Sequence, residues 1–264
     1  MFDILTVSTN TYHTFHLDQA MNGISKAGFR YLELSCVSGW TEHFPFKNYP
    51  PADVENLLKK CQNYGLTISS VSGHSDLAKK EGYDNLKKAV DLAHEVGAKI
   101  VNTGTVEKEA EVAFLLRSLP GLGDYAQKKN CKIGLEIHGD VLKNGKAARE
   151  LMEKVDHPAI GINYDTGNAI FYGDTRPEKD ILACLTRIVH IHLKDKRGGY
   201  KVWDFPALGE GTVDFKTIVQ ILRERSINVP LSVEIEYAGL FDHPVSYVDE
   251  CVKKSYDYLK KCLV

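Results

Sequence analysis

Two spacings of apolar residues alternate along the 264-residue chain. Short runs rich in apolar residues, often at every second position, predict strands; longer segments with apolar residues three and four apart predict helices. "DILTVST" (3–9) reads as a strand and "HLDQAMNGISKAG" (16–28) as an amphipathic helix closing on Gly28. The strand "FRYLELS" (29–35), the helix "PADVENLLKKCQNYG" (51–65) and the strand "LTISSVS" (66–72) follow. In "GYDNLKKAVDLAHEVG" (82–97), Leu86, Ala89, Val90 and Ala93 share one helical face, and the strand "AKIVNTG" (98–104) comes next. The second half repeats the pattern. A helix over 109–129 precedes "KIGLEIHG" (132–139), "GKAARELMEKV" (145–155) precedes "IGINYDTG" (160–167), and a helix before Leu185 precedes "RIVHIHL" (187–193). Then come the helix "DFKTIVQILRERS" (214–226), the strand "PLSVEIEY" (230–237) and the helix "SYVDECVKKSYDYLKKC" (246–262).

Strands that alternate with helices through short connections imply a parallel sheet, and eight such units in about 250 residues imply a closed barrel. The expected class is α/β, a single (β/α)8 TIM barrel over residues 1–264. A doubly wound open sheet is the alternative, but no G-x-G-x-x-G opens the first helix. Composition leaves this reading in place, since 43% hydrophobic and 26% charged residues suit a globular domain with a substantial core. A formal net charge of −2 supplies no basic footprint for nucleic acid and no polybasic membrane anchor. The opening "MFDILTVSTNTYHTF" has no signal-peptide features, and no window approaches the roughly 20 apolar residues of a membrane span. Six cysteines without a C-x-x-C pair read as reduced thiols of a cytoplasmic protein, not as a metal site.

One strand breaks its own pattern. In "RIVHIHLKDKRGG" (187–199), His190, His192 and Lys194 fall on one face, opposite Val189, Ile191 and Leu193. In a barrel the ends of the strands carry function, and polar residues collect there on four successive strands. The fifth ends with Glu136 and His138, the sixth with Asp165 and then Asn168, the seventh with His192 and Lys194, and the eighth with Glu234 and Glu236. Carboxylates desolvated side by side repel, and a divalent cation removes that cost. Glu136, Asp165, His192 and Glu234 therefore form the candidate metal set. Three carboxylates and one imidazole suit Mn²⁺ first, with Co²⁺, Mg²⁺ and Zn²⁺ also compatible. Taken singly, Glu136 and the two glutamates of strand eight read as rim carboxylates, Asp165 as a helix cap, and His192 as a core histidine. His190 lies deeper and reads as a layer residue or a partner of the metal histidine. His74 (in "VSGHSD"), His138, Asn168 and Lys194 are candidates for orienting substrate hydroxyls, and Trp40 and Tyr12 for walling a sugar pocket. "LGEGTVDF" reads as a shaped loop before a helix, with Gly209 and Gly211 giving turn freedom and Asp214 a carboxylate at the helix start.

The ordered set "LEIH", "YDTGN", "HIHLKD", "LGEGTVDF" and "VEIE" resembles the xylose isomerase-like TIM-barrel superfamily. It is most similar to the sugar phosphate isomerase/epimerase branch, which includes ketose 3-epimerases and inosose-converting enzymes. The likeness covers nearly the whole chain and is dense from Leu135 to Tyr237. It implies metal ligation by Glu136, Asp165, His192 and Glu234, with Glu136 and Glu234 also moving the proton. Two features depart from the ketose 3-epimerase pattern: Asn168 stands where a histidine is common, and "KDKRGG" offers Arg197 or Lys196 where an arginine is common.

Such a site predicts a metal-dependent sugar, sugar phosphate or keto-polyol isomerase or epimerase, working by proton transfer through an enediolate. A metal-dependent dehydratase or lyase on a keto-sugar or inosose is the alternative. Lys194, Lys196 and Arg197 are the candidate phosphate contacts. A phosphodiesterase resembling the superfamily's abasic-site endonuclease would need more histidines. The chain has Thr103, Thr105, Asn168 and Pro206 in those places, and only His74 matches. A non-enzymatic sugar-binding role would require no metal. The expected partner is a small carbohydrate, with no nucleic acid and no membrane, and a homo-oligomer is left open.

Overall fold

A computed structural model describes residues 2–236, 239 and 242–264. Eight parallel strands close into a barrel in chain order: β1 Leu5–Ser8, β2 Tyr31–Ser35, β3 Thr67–Ser72, β4 Ile100–Thr103, β5 Lys132–Glu136, β6 Ile160–Asp165, β7 Ile188–Leu193 and β8 Leu231–Val233. This is the (β/α)8 TIM barrel that the alternation predicts, and the open sheet is excluded because β1 pairs with β8. The helices are α1 Leu17–Ala27, α2 Pro51–Asn63, α3 Lys80–Glu95, α4 Val112–Lys128, α5 Gly145–Val155, α6 Thr166–Phe171, α7 Pro177–Asp180, α8 Phe215–Glu224 and α9 Val245–Cys262. Among the described residues no helix is long and apolar enough to cross a membrane.

The strands divide their residues between two environments. Val7, Leu32, Leu34, Val71, Leu135, Ile162 and Ile191 are fully buried members of the apolar core that the strands share with the helices. Glu33, Ser70, Asn102, Asn163, His190 and His192 are just as buried, yet polar. Their hydrogen bonds show where they point. His192 on β7 reaches Glu33 on β2, and His190 on β7 reaches Ser70 on β3. Neither pair of strands is adjacent, so these contacts cross the barrel interior.

Val189 departs from the expected two-face pattern. The β6–β7 register slips between Ile162 and Asn163, so that Ile162 pairs with Ile188 but Asn163 pairs with His190. The extra residue, Val189, lies against Gly134 and Gly161, and a Cβ at Gly161 would come within 2.4 Å of Val189 Cγ1 and 2.7 Å of the Arg187 carbonyl. Beyond the bulge, Asp165 is opposite His192 and His192 is opposite Ser232.

Two other expectations change. The helix expected before Leu185 is broken into the single turn α7 and two 3-10 turns, Ile181–Ala183 and Leu185–Arg187. Asp174 at φ 50° and Pro177 at the first position of α7 start a new segment there. The eighth strand ends at Val233, short of Glu234, although the Glu234 amide still bonds the Leu193 carbonyl. Tyr237, its expected last residue, lies outside the described residues. The first helix does close on Gly28, whose φ of 110° is one that a side chain would resist.

Gly161→Ala is expected to destabilise the protein by about 1–3 kcal/mol, because the new methyl meets backbone that cannot move aside. Urea unfolding measures this, and an unchanged midpoint would show that the bulge tolerates the methyl.

Candidate metal centre

Glu136 ends β5, Asp165 ends β6, His192 is the fifth residue of β7, and Glu234 follows β8 directly. Each is buried and offers one atom within 4.8 Å of the others. His192 Nδ1 lies 3.4 Å from Glu136 Oε2, 3.4 Å from Glu234 Oε2 and 3.7 Å from Asp165 Oδ2. Asp165 serves two purposes at once. Its Oδ1 caps α6 by accepting from the Asn168 amide at 2.8 Å, while its buried Oδ2 is turned into the cluster, toward His192 Nδ1 and Lys194 Nζ. The cap and the candidate ligand are the two oxygens of one carboxylate.

Lys194 enters the same cluster. Its Nζ lies 2.7 Å from Glu234 Oε2, 2.7 Å from Glu236 Oε2 and 3.2 Å from Asp165 Oδ2. Asn10 Nδ2 donates to both Glu236 and Glu234, at 2.6 and 3.1 Å. Glu136 is held by Asn163 Nδ2 at 3.1 Å and Asn168 Nδ2 at 3.3 Å, with His74 Nε2 at 3.2 Å. Burial pushes the Glu136 carboxyl up, but His192, His74 and Lys194 together overrule it and keep the group well below its usual range. Burial opposes ionisation of Glu234 too, and Lys194 and His192 again win. Glu236 ends above its usual range, because burial and the Glu234 charge outweigh Lys194. His192 resists the pull of burial toward the neutral ring, since Glu33, Glu234 and Glu136 surround it, and its pKa is raised.

The far side of His192 has a partner that the alternation pattern left unselected. Glu33 is fully buried in the barrel, with Oε2 and Oε1 at 3.0 and 3.2 Å from His192 Nε2 and Asn102 Nδ2 donating to it at 2.9 Å. Burial works against its ionisation, yet His192, His190 and these hydrogen bonds lower its pKa to about 2. His190, pushed down to about 4 by burial, is a neutral layer residue: Asn163 Oδ1 lies 2.9 Å from its Nδ1 and Ser70 Oγ 3.2 Å from its Nε2. Glu33 stands between Leu32 and Leu34, the same charged-among-apolar anomaly that singled out His192. Asn163 and Asn10 carried no such signal.

A cavity of about 270 Å³ opens above the cluster. Trp40, His74, His138, Asn168 and Lys194 all line it, as do Glu136 and Glu234, while Asp165 and His192 are not on its wall. His138 Nε2 lies 3.1 Å from the Tyr172 hydroxyl, and Trp40 stacks on His13 at 4.2 Å. Trp203, Asn10 and Glu236 are further wall residues. Tyr12 is corrected: it is buried, and its hydroxyl donates to Asp249 Oδ1 at 2.9 Å, away from this wall. Lys196 and Arg197 are also engaged elsewhere, Lys196 on the Arg197 and Gly198 carbonyls and Arg197 on Asp204. The Asp195 carboxylate gathers the amides of Lys196, Gly209, Gly211 and Val213, which shapes the loop before α8, and Asp214 caps that helix. A larger cavity of about 590 Å³ lies at the other end of the barrel, among strand starts such as Ile100, Lys132 and Ile188, and among the described residues no carboxylate or imidazole lines it.

Three carboxylates and one imidazole, all buried and each with one atom within 4.8 Å of the others, make a donor set that fits a divalent cation. The Glu33–His192 contact is testable apart from any ion. In Glu33→Gln, His192 is expected to titrate at lower pH than in the wild type, read from its ring signals by NMR. An unchanged titration would show that Glu33 does not hold the ring.

The family described as xylose isomerase-like TIM barrel matches residues 22–262. An inosose dehydratase of Clostridium beijerinckii is 26% identical over 281 residues, covering 92% of this chain and 89% of that protein. Two solved structures share the fold. One is a xylose isomerase-like TIM barrel protein of Mycobacterium smegmatis in complex with magnesium, with a TM-score of 0.81, 18% identity, and 100% of this chain and 98% of that chain covered. The other is a D-allulose 3-epimerase of Methylomonas sp., with a TM-score of 0.76, 20% identity, and 98% of each chain covered. With the fold, the strand-end donors and a match over nearly the whole length in agreement, the chain belongs to the xylose isomerase-like TIM barrel family.

Proposed function

We propose that this protein is a divalent-metal-dependent enzyme that transfers protons on a carbohydrate ketone. The observation that carries the reading is the buried meeting of Glu136, Asp165, His192 and Glu234 at one end of the barrel, under an open cavity. These four residues would hold the ion, with Mn²⁺ the first candidate. A bound divalent ion there supplies Lewis-acid polarisation of a ketone oxygen and a neighbouring hydroxyl. Glu136 and Glu234 are ionised and line the cavity, so each can accept a proton from a carbon beside the carbonyl. His74, Asn163 and Asn168 fix the Glu136 carboxylate, and Lys194 and Asn10 fix Glu234. His138, Asn168, Lys194 and His74 face the space where substrate hydroxyls would lie, and Trp40 presents a flat apolar wall.

Return of the proton to the other face of the same carbon is epimerisation, and to the neighbouring carbon it is aldose–ketose isomerisation. Departure of a β-hydroxyl instead is dehydration. The inosose dehydratases among the relatives support that second reading, and the same two glutamates serve both. A carbohydrate is the proposed substrate on either reading.

Purified protein is expected to carry one equivalent of metal by elemental analysis, and the Glu136→Gln, His192→Ala double variant to carry none. No binding by the wild type after exposure to Mn²⁺, Co²⁺, Mg²⁺ or Zn²⁺ would overturn the proposal. With an inosose or a free ketohexose, solvent deuterium should enter beside the carbonyl, and Glu136→Gln should slow this by about 10²–10⁴-fold. Loss of water with a new enone absorbance would select dehydration. Metal affinity also depends on pH in a stated direction. The His192 pKa is raised, and the ring would have to give up a proton to serve as a ligand, so affinity should fall as pH falls, by about tenfold per pH unit while the ring is protonated. Calorimetry in buffers of different ionisation heat counts the proton released, and release of none would place the metal elsewhere.

A further inference from the structure

The space above the cluster has two compartments. His74 and His138 wall both the 270 Å³ cavity and an adjoining hollow of about 250 Å³, formed by the loops that follow β3 and β4. Small-molecule sites usually enclose roughly 300–1,000 Å³, so either compartment alone falls short and the two together do not. The hollow is lined by Ser75, Asp76, Thr105 and Glu107 besides the two histidines. The Thr105 hydroxyl is buried and has no hydrogen-bond partner, which is costly unless something else bonds it.

Carboxylates outnumber cations around both compartments. Glu136, Glu234 and Glu236 line the cavity, and Asp76 and Glu107 line the hollow. Among the described lining residues Lys194 is the one lysine or arginine, and its ammonium is already shared by Asp165, Glu234 and Glu236. The neighbouring cations are paired too: Lys79 with Asp76, Arg197 with Asp204 and Lys201 with Asp140. In the hollow, away from the residues that would hold the metal, a phosphate or carboxylate on the substrate would meet Glu107 and no lysine or arginine among the described wall residues. Hydroxyls would find donors and acceptors, and the half-exposed faces of Trp40 and Trp203 suit the C–H surface of a sugar.

We infer that the hollow between the β3 and β4 loops is a subsite for the uncharged, hydroxyl-bearing end of the substrate, with Thr105 as its specificity-determining residue and Glu107 excluding phosphorylated or carboxylated compounds. This rests on the reading under Proposed function and narrows it to a neutral polyhydroxy ketone. The test is calorimetry on metal-loaded protein with an inosose, a free ketohexose, and the same ketohexose phosphorylated on its terminal hydroxyl. A free compound is expected to bind at least about tenfold more tightly than the phosphate ester. Thr105→Val should weaken that binding about tenfold with metal still at one equivalent, Thr105→Ser should restore it, and Glu107→Lys should narrow the preference against phosphate. Equal or tighter binding of the phosphate ester, or a Thr105→Val variant that binds like the wild type, would overturn the subsite while leaving the metal chemistry in place. A wild type that takes up no metal, or that takes it up and binds none of the three compounds, would overturn the proposed function and the subsite together.

Discussion

An imidazole with carboxylates at both nitrogens organises this molecule. His192 presents Nε2 to Glu33 inside the barrel and Nδ1 to Glu136, Asp165 and Glu234 at its mouth. A ring bound on one side by a buried carboxylate has its orientation set, which aims the other nitrogen, and Asn163 Nδ2 lies 3.3 Å from that nitrogen. Glu33 is in turn satisfied by Asn102, so the arrangement rests on strands four, two and seven in sequence.

Supporting that ring requires a polar barrel interior. TIM barrels are usually filled by layers of branched aliphatic residues. Here Ser70, Asn102, Asn163 and His190 occupy the interior; Ser70–His190 and Asn102–Glu33 connect strands that are not neighbours, and Asn163–His190 ties adjacent β6 and β7. Buried polar groups are tolerable only when paired, which makes the layer a specification of strand register as much as a filling. The bulge at Val189 belongs to the same scheme, because it brings His192 opposite Asp165. Asp165 then divides its oxygens between the α6 amides and the site. Structure and candidate chemistry draw on the same carboxylate.

The mouth of the barrel carries a charge pairing of its own. Lys194 gathers Asp165, Glu234 and Glu236, which leaves its charge unavailable to an incoming anion. Asp195, the next residue, collects amides from the following loop and holds it in place. Adjacent residues thus serve the cluster and the loop beside it, and the acidic remainder of the wall faces the open space.

Most of the architecture is carried by local pattern. Strand and helix periods, with Gly28 ending the first helix, are short-range properties, and the (β/α)8 barrel follows from them. Charged and polar residues at the ends of strands five to eight were equally visible, because a carboxylate or imidazole in an apolar strand stands out against its neighbours. Glu33 carried that same mark between Leu32 and Leu34. What the linear pattern could not contain was distance across the barrel. Only closure brings Glu33 to His192, Asn10 to Glu234 and Glu236, and the β3 and β4 loops to a common hollow. The register slip at Val189 and the burial of Tyr12 on Asp249 were likewise decided by packing against residues far along the chain. Local periodicity sets which residues face inward, while long-range closure decides which of them meet.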